Sequence, residues 1–449
     1  MVLMHSSNWA TGKKCKKGQG LLKEGSQLVS VSFFNTKEEH NMDRRKFIQT
    51  TAGGIAAGTA GMYGSSALAA DDIKVGSIHD LSGGLDIYGK PMVDALTLAV
   101  EEQNAAGGLL GKKVALINYD SQSNMQKYTE YAQMAALKDK VAVVHGGITS
   151  ASREVIRPVL TKNKTLYFYN TQYEGGVCDR NTFCTGVTPA QTVQKLIPYS
   201  MKKWGKKVYI VAADYNYGQI TSDWVKKYVA EGGGSVQAVE FFSLDVTNFG
   251  PTIAKIEAAK PDFVMSALVG GAHMSFYRQW GAAGMLKKIP MASSTFAVGN
   301  EQVVLAPEEC NGMVLSYNYF EKIATPQNKA FLAAFHKRFG ADYPNVSELA
   351  MGTYQGFKLW AEAVKKAGSI DRMKVIEAME SGISINAPSG KVTVDGASHH
   401  CILDVSLAEV KNKKLDILQT FAQQAPSDTS SVCNLKKNPA ENKQFVIKV

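Results

Sequence analysis

The sequence predicts an α/β protein made of two Rossmann-like lobes. Segments rich in β-branched and aromatic residues alternate with segments of helical periodicity along most of the chain after residue 72. The alternation runs through two similar series in tandem, which indicates two lobes of the same build. Without residues 1–69 the 449-residue chain keeps 380 residues, more than one hydrophobic core normally holds. We therefore expect helices layered around two mainly parallel sheets.

The first series lies between residues 73 and 169. Its predicted strands lie at residues 73–78, 114–119, 141–145 and 165–169. Its predicted helices lie at residues 91–104, 126–137 and 151–163. Gly107 and Gly108 end the first of these helices, because glycine is a frequent helix terminator.

The second series begins near residue 207 and is followed by further helices. Its predicted strands lie at residues 207–212, 235–241, 263–267 and 289–292. The predicted helices lie at residues 218–231, 249–259, 273–283, 328–339, 351–367 and 373–381, and β-rich segments follow at 391–394 and 402–410. Phe331, Phe335 and Phe339 recur at four-residue intervals, so they are expected in the core.

An export signal precedes the α/β region. Arg44 and Arg45 begin the sequence Arg-Arg-Lys-Phe-Ile-Gln, and a weakly apolar run rich in Gly, Ala and Thr follows. The run ends in the small-x-small sequence at residues 67–69, which suits a signal peptidase. Residues 42–69 are therefore predicted to be a twin-arginine signal peptide that directs the chain to the periplasm. Residues 1–41 show no fold signal, so we expect translation to start at Met42, or this extension to be disordered.

The net charge argues against a nucleic-acid partner. The formal net charge is +10, but residues 1–70 contain nine Lys/Arg and four Asp/Glu, so half of it lies in the leader. The remaining sequence is mildly basic without a dense Lys/Arg stripe, and it contains no apolar run of eighteen residues. We expect a mature protein that binds no nucleic acid and does not span the membrane.

Five cysteines follow the leader. Cys178 and Cys184 flank a loop of turn composition, and we predict a disulfide between them in an oxidising periplasm. Cys401 and Cys433 form a second candidate pair that would hold the C-terminal tail, which leaves Cys310 unpaired. Metal ligation is the alternative, but the sequence contains no C-x-x-C or H-x₃-H spacing to support it.

Several short motifs occur in an order and at a spacing that resemble those of a known protein family. These are Asp80-Leu81-Ser82-Gly83 with Tyr88-Gly89, the helix end at 101–108, Tyr173-Glu174-Gly175, Asp214-Tyr215, and Ala387-Pro388-Ser389-Gly390 with His399-His400. Over residues 73–418 the sequence resembles type I periplasmic solute-binding proteins of ABC importers, in the Leu/Ile/Val-binding group. Within that group the motifs at 173–175, 214–215 and 387–400 most resemble the urea and short-chain amide binders.

This resemblance implies two lobes joined by three hinge crossings, near residues 189, 318 and 395. The implied N-terminal lobe contains residues 70–188 and 319–395, and the C-terminal lobe with the tail contains residues 189–318 and 396–449. It also implies a small solute held between the lobes, hinge closure around it, and delivery to an inner-membrane ABC permease. We expect a monomer or weak dimer.

The candidate site lies where loops leave the carboxyl ends of the strands. Ser150 precedes a predicted helix, so its hydroxyl and nearby backbone N–H groups suit a carbonyl or carboxylate oxygen, with a plain helix cap as an equal alternative. Tyr169 and Thr171 combine an aromatic ring with a hydroxyl, and by resemblance they occupy contact positions. Tyr215 and Tyr217 take the equivalent place in the second lobe, unless they share the core or surface face of a strand. The predicted wall is Tyr88, Ser150, Tyr169, Thr171, Tyr215 and Tyr217.

Five further residues are expected to support this wall: Ser82, Tyr173, Glu174, Asp214 and Gly271. By resemblance, Tyr173 and Glu174 brace the loop that carries Tyr169. Gly271 belongs to a Gly-Gly sequence that caps the following helix or lets the backbone approach a ligand.

Catalytic and cofactor motifs are missing from the sequence. It contains no G-x-S-x-G elbow, no H-E-x-x-H pair and no Rossmann glycine motif after the first strand. Adjacent His399 and His400 would point to opposite faces of a strand, which disfavours a metal pair. We expect a non-catalytic protein without metal or cofactor. A hydrolase of the same fold class and an amide-sensing regulator with a cytoplasmic partner remain alternatives.

The predicted wall favours a neutral ligand. An α-amino acid needs a carboxylate in the cleft for its ammonium group, because an unpaired buried charge costs several kcal/mol. Asp214, Glu174 and Glu301 are candidates for that carboxylate, and the sequence assigns none of them. Hydroxyls and aromatic rings therefore favour urea or a short-chain amide, with branched-chain or other amino acids as the close alternative.

Overall fold

The computed structural model describes residues 72–448. The predictions for residues 1–41 and for the signal peptide at 42–69 lie outside the described residues. Within the described range, none of the helices combines the length and the apolar character that a membrane crossing needs.

A five-stranded parallel sheet forms in the first part of this range. The strands are β1 (Ile73–His79), β2 (Val114–Asp120), β3 (Val143–Gly146), β4 (Leu166–Tyr169), β5 (Val177–Asp179) and β6 (Thr182–Cys184). All of these except β5 pair in the order β2-β1-β3-β4-β6. Every residue of β3 and β4 is buried, as expected for central strands of a sheet with both faces covered.

A larger mixed sheet forms from the later strands. They are β7 (Lys207–Ala213), β8 (Ser235–Phe242), β9 (Phe263–Ala267), β10 (Met291–Ser293), β11 (Val314–Tyr317), β12 (Ser384–Ala387), β13 (Gly390–Asp395), β14 (His400–Lys411), β15 (Lys414–Gln424) and β16 (Asn442–Gln444). Strands β8, β7, β9, β10 and β11 pair in parallel in that order. Strand β14 is antiparallel to β11, β13 and β15, and β16 pairs with β5 in a separate ribbon.

The helices connect these strands and cover the sheets. They are α1 (Asp86–Ala105), α2 (Met125–Gln133), α3 (Ser150–Lys162), α4 (Val193–Trp204), α5 (Asn216–Glu231), α6 (Gly250–Ala259), α7 (Gly271–Ala282), α8 (Glu301–Val304), α9 (Pro307–Cys310), α10 (Pro326–Phe339), α11 (Glu348–Ala367), α12 (Arg372–Glu380) and α13 (Ser427–Ser430). Side chains of Asn124, Thr149, Thr325, Ser347 and Asp371 cap α2, α3, α10, α11 and α12. Each predicted helix and strand has a counterpart here, with shifted ends.

The two sheets have separate hydrophobic cores. Val211 and Met265 belong to the core around the second sheet. Helices α10 to α12 instead pack on the first sheet, where Phe331 and Phe335 are buried as predicted and Phe339 is partly exposed. Late chain segments therefore return to the lobe built by the first strands.

Strand β14 runs from one core into the other. Val405 packs in the core of the first sheet, and Leu407, two residues later, packs in the core of the second. The lobe boundaries at 188, 318 and 395 and the three crossings stay predictions.

The predicted disulfides are wrong. Cys178 is bonded to Cys433, whereas Cys184 and Cys401 are buried free thiols. The reason is that β5 leaves the first sheet to pair with β16 of the tail, which brings Cys178 into a small cluster with Cys433 and Leu435. Cys184 ends β6 inside the first sheet, so its side chain packs in a different core.

Candidate functional site

A small cavity lies at the carboxyl ends of strands from both sheets. Its volume is about 30 Å³. All six residues predicted for the wall line it, namely Tyr88, Ser150, Tyr169, Thr171, Tyr215 and Tyr217. The structure thus brings together side chains from four loops or helix starts, and their ligand-binding role stays a prediction.

The loop between β3 and α3 supplies the first polar part of the wall. Thr149 is the helix cap, since its side chain accepts a hydrogen bond from the backbone N–H of Ser152 at 3.0 Å. Ser152 donates its hydroxyl to the Thr149 carbonyl. Ser150 is therefore not needed as a cap, and its hydroxyl at the N-terminus of α3 faces the cavity, where it donates to the carboxylate of Glu174.

A buried ion pair holds this part of the wall. Arg153 and Glu174 are fully buried and lie 2.9 Å apart. The guanidinium of Arg153 also lies 5.0 Å from the ring centre of Tyr169 and 4.7 Å from that of Tyr173. Tyr173 and Glu174 thus stay behind the cavity surface and contact residues that line it, in the bracing position expected for them.

The C-terminal tail completes this bracing. The side-chain amide of Gln444 donates to Glu174 and to the carbonyl of Gly175, and its oxygen accepts from Arg153 at 3.0 Å. Since β16 carries Gln444, the tail contacts the same carboxylate that binds Ser150. No local pattern in the sequence predicted this contact.

The opposite wall comes from the start of α5. The rings of Tyr215 and Tyr217 are 6.1 Å apart, and the hydroxyl of Tyr217 lies 3.0 Å from the Ser294 hydroxyl. Burial raises the pKa of both tyrosines well above the usual range, so their hydroxyls stay neutral. They belong to a helix start, which removes the alternative of a shared strand face.

The two lobes contact each other across the cavity. Gln172 donates its side-chain amide to the Ser294 carbonyl at 2.8 Å, and Trp224 donates to the Glu174 carbonyl at 3.1 Å. These hydrogen bonds join the loop after β4 to the second sheet and to α5. Both lobes therefore line the cavity and are joined beside it by hydrogen bonds.

Three of the predicted supporting residues lie away from the cavity. Ser82 binds the carboxylate of Asp120 with its hydroxyl at 2.6 Å. Asp214 is exposed and accepts a hydrogen bond from Gln219, and Gly271 begins α7. Asp214 and Gly271 line a separate, wider groove of about 510 Å³ beside the cavity.

Six wall residues were not predicted from the sequence: Ile148, Gln172, Val269, Thr295, Val298 and Leu349. Gln172 lies between the predicted residues Thr171 and Tyr173, so the same loop pattern could have identified it. Leu349 is on α11, far along the chain, and nothing in its local pattern distinguishes it from a core residue.

Several buried polar atoms near the cavity have no protein partner. Among the described residues the Tyr88 hydroxyl finds no acceptor, although Tyr88 lines the cavity, and the backbone N–H of Gly270 is its neighbour. Glu301 and His273 are also buried, with Oε1 and Nε2 unpartnered and 3.6 Å apart. Nδ1 of His273 faces the Leu268 carbonyl at 2.8 Å and must donate, because a carbonyl only accepts.

The described residues contain no cluster of three or more side chains able to hold a metal ion. His399 stacks on Phe183 and lies 3.1 Å from Glu380, whereas His400 contacts Tyr173 and the Ser398 carbonyl. Burial lowers the pKa of His400 to about 4, so its ring is neutral at pH 7. Both histidines have structural partners.

Sequence comparison places these observations in a family. A family model described as the periplasmic binding protein domain matches residues 73–431. The Leu/Ile/Val-binding protein homolog 7 of Brucella abortus (strain 2308) is 24% identical over 356 residues, covering 74% of this chain and 86% of the relative. Homolog 4 of Brucella melitensis is 22% identical over 391 residues, covering 83% and 91%.

Solved structures of similar fold include solute-binding proteins. One from R. palustris in complex with benzoate has a TM-score of 0.72 and 22% identity, covering 79% of this chain and 98% of that chain. An amino acid ABC transporter substrate-binding protein from Pseudomonas fluorescens Pf-5 has a TM-score of 0.72 and 21% identity, covering 81% and 99%. A leucine binding protein from Thermotoga maritima has a TM-score of 0.68 and 21% identity, covering 78% and 99%.

Proposed function

The chain belongs to the periplasmic binding protein family and has the type I fold, and on that premise we propose that it is the solute-binding component of an ABC importer. It captures a small polar solute between its lobes and presents the closed complex to an inner-membrane permease. It changes nothing in the solute chemically. The similar structures described as solute-binding proteins of ABC transporters support this proposal.

One observation carries the proposal. Six residues from four separate segments of the sequence converge on one cavity between two lobes. Four tyrosines line this cavity, and the hydroxyl oxygens of Ser150 and Thr171 can accept hydrogen bonds there, since their protons are donated to Glu174 and to the Gly147 carbonyl. A small planar solute with hydrogen-bonding edges fits such a wall.

The solute is a urea or a short-chain amide. The cavity has a volume of about 30 Å³. One water molecule needs roughly 10–15 Å³, so the cavity suits only a small solute. Glu174 is already neutralised by Arg153, and Asp214 is exposed outside the cavity, so neither offers a free carboxylate to an ammonium group. A neutral amide requires none.

An amino acid is the second candidate. The relatives are described as Leu/Ile/Val-binding homologs, and one similar structure is an amino acid transporter protein. Glu301 favours it, because one oxygen of this buried carboxylate has no partner among the described residues, and burial first and this carboxylate second raise the pKa of Tyr88 in the cavity wall. Its location behind Tyr88 and beside His273 makes it a weaker candidate than a carboxylate in the wall itself.

Calorimetric titration of the mature protein tests both candidates. The panel is urea, acetamide, formamide, leucine, valine and benzoate, the last because a similar structure contains it. We expect heat from urea or an amide and none from the other three. Binding of leucine or valine without any amide would replace the first proposal by the second.

A further inference from the structure

A second compartment adjoins the cavity. It has a volume of about 250 Å³, and Val298 lines both spaces. Leu349 lines the cavity, whereas Glu348, its neighbour at the start of α11, lines the compartment. The two spaces are therefore separated by little more than one side chain.

Glu348 is the unusual group in this compartment. The residue is 2% exposed, and neither of its carboxylate oxygens has a hydrogen-bond partner in the described protein. A buried carboxyl without a partner is costly, so such groups normally bind something or become neutral. Burial raises the pKa of Glu348 to about 8, so its carboxyl is mostly protonated at pH 7.

The compartment contains another carboxylate that already has a partner. Glu321 accepts a hydrogen bond from the backbone N–H of Val346 at 2.7 Å. Lys322 is paired with Asp416, and Lys414 is exposed at the rim. Glu348 is thus the member of the charged set that is deeply buried and free to bind.

Tyrosines complete the surroundings of Glu348. Tyr217 lines the cavity and Tyr317 lines the compartment, and burial raises the pKa of both tyrosines, so their hydroxyls stay neutral. Tyr317 donates its hydroxyl to the Phe296 carbonyl at 2.8 Å, so it does not satisfy the carboxyl. Glu348 directly precedes Leu349 of the cavity wall at the start of α11.

We propose that Glu348 forms a second anchoring point, which binds a cationic amino group of the solute while the tyrosine cavity binds its amide group. This inference rests on the proposed function and narrows the solute to an amide that carries a basic nitrogen. The helix N-terminus at Ser347 stabilises the ionised carboxylate of Glu348, and the buried setting strengthens its attraction for a cation. Entry of the cation ionises the carboxyl, and the displaced proton passes to solvent.

Glycinamide and acetamide are the matched probes, since glycinamide is acetamide with one added amino group. Wild-type protein is expected to bind glycinamide at least about tenfold more tightly at pH 7, as a charge-assisted hydrogen bond of roughly 1.5–3 kcal/mol implies. Titration in two buffers of different ionisation enthalpy is expected to reveal the release of about one proton per glycinamide and none per acetamide.

Glu348→Gln keeps the shape of the side chain and removes its ability to ionise. We expect this variant to bind acetamide as wild type does, to lose the preference for glycinamide, and to release no proton. Glu321→Gln is the matched control in the same compartment, and it is expected to retain both properties. Thermal unfolding of each variant checks that folding is intact.

Two results would overturn the inference by itself: equal binding of the two probes by wild type, or an unchanged preference in Glu348→Gln. If Glu321→Gln loses the preference as well, the effect belongs to the compartment's overall charge, and the assignment to Glu348 is wrong. Failure of wild type to bind any amide or urea contradicts the proposed function, and the inference falls with it.

Discussion

The guanidinium of Arg153 lies 2.9 Å from the carboxylate of Glu174, and neither side chain is exposed. The same carboxylate accepts a hydrogen bond from Ser150 in the cavity wall and another from Gln444 in the C-terminal tail. One buried ion pair therefore links a wall residue, two tyrosine rings and the end of the chain. Several predictions about stability and binding depend on this link.

Glu174→Gln leaves the charge of Arg153 buried without its main partner. We expect a loss of about 3 kcal/mol in the free energy of unfolding, the low end for a broken buried pair, because Glu154 still contacts Arg153 at 2.8 Å. Urea denaturation measures this loss. Glu362→Gln breaks an exposed pair with Lys365 and is expected to cost under about 1 kcal/mol. Equal losses in the two variants would contradict the importance of the buried pair.

The Tyr88 hydroxyl is expected to contribute to binding and not to folding. It lines the cavity and has no protein partner, so Tyr88→Phe should weaken amide or urea binding about fivefold and leave stability unchanged. Tyr167→Phe is the matched control, since this hydroxyl donates to the Gly146 carbonyl at 2.9 Å outside the cavity wall. It should cost about 1 kcal/mol of stability and leave affinity unchanged. Calorimetry measures the affinity of each variant, and thermal unfolding measures its stability. Unchanged affinity in Tyr88→Phe together with weaker binding by Tyr167→Phe would contradict this prediction.

Removing the disulfide is expected to loosen the tail. Cys433→Ser frees the segment that carries Gln444, and loss of a native disulfide typically costs about 2–5 kcal/mol. Solute affinity should fall as well, because Glu174 loses its contact with the tail. Cys401→Ser is the control and should keep the bridge. Peptide mapping without reductant checks the bond between Cys178 and Cys433. A cross-linked peptide that joins Cys178 to Cys184 would show this pairing to be incorrect.

His145 is expected to make the fold sensitive to acid. Burial lowers its folded-state pKa to about 4, below the 6.5 of the free side chain. Between pH 6.5 and 4 the unfolded chain therefore binds a proton that the folded protein does not, so this contribution to stability is present above pH 6.5 and is lost as the pH falls. The stability advantage of wild type over His145→Gln should shrink across this window. Denaturation at pH 7, 6, 5 and 4 measures it, and a constant difference would contradict the buried neutral ring.

Export is expected to depend on the arginine pair. Replacing Arg44 and Arg45 by lysine should retain the protein in the cytoplasm, since the twin-arginine pathway reads the pair itself. Cell fractionation with immunodetection measures the location. If the double variant is recovered from the periplasm as wild type is, the prediction of a twin-arginine signal is wrong.

Local pattern was sufficient for most of the fold. Alternating β-rich and periodic segments predicted strands such as β1 and β7 and helices such as α10. A helix buried on one face, or a strand buried on both, has a recognisable spacing of apolar residues along the chain. Helices α4, α8, α9 and α13 and strands β5, β6, β11, β12, β15 and β16 were not predicted. The residues of β5 and β16 have little apolar periodicity. Their pairing depends on the tail reaching the first sheet, a long-range event without a local signature.

Part of the cavity wall could also be predicted from the sequence. Tyr169 and Tyr215 could be chosen because loops after parallel strands open at one edge of a sheet, a rule that applies before the structure is known. Leu349 and Glu348 could not be chosen, since α11 reaches the cavity only through the packing of the two lobes.

The sequence by itself determined the α/β class, the tandem build and the loops that meet in the cleft, because these follow from periodicity and strand polarity along short stretches of chain. Only the tertiary structure decided which cysteines pair, that the tail braces Glu174, and that Glu348 is buried without a partner beside the cavity. Those features join residues that are far apart in the chain, and the energy of such contacts depends on packing in three dimensions.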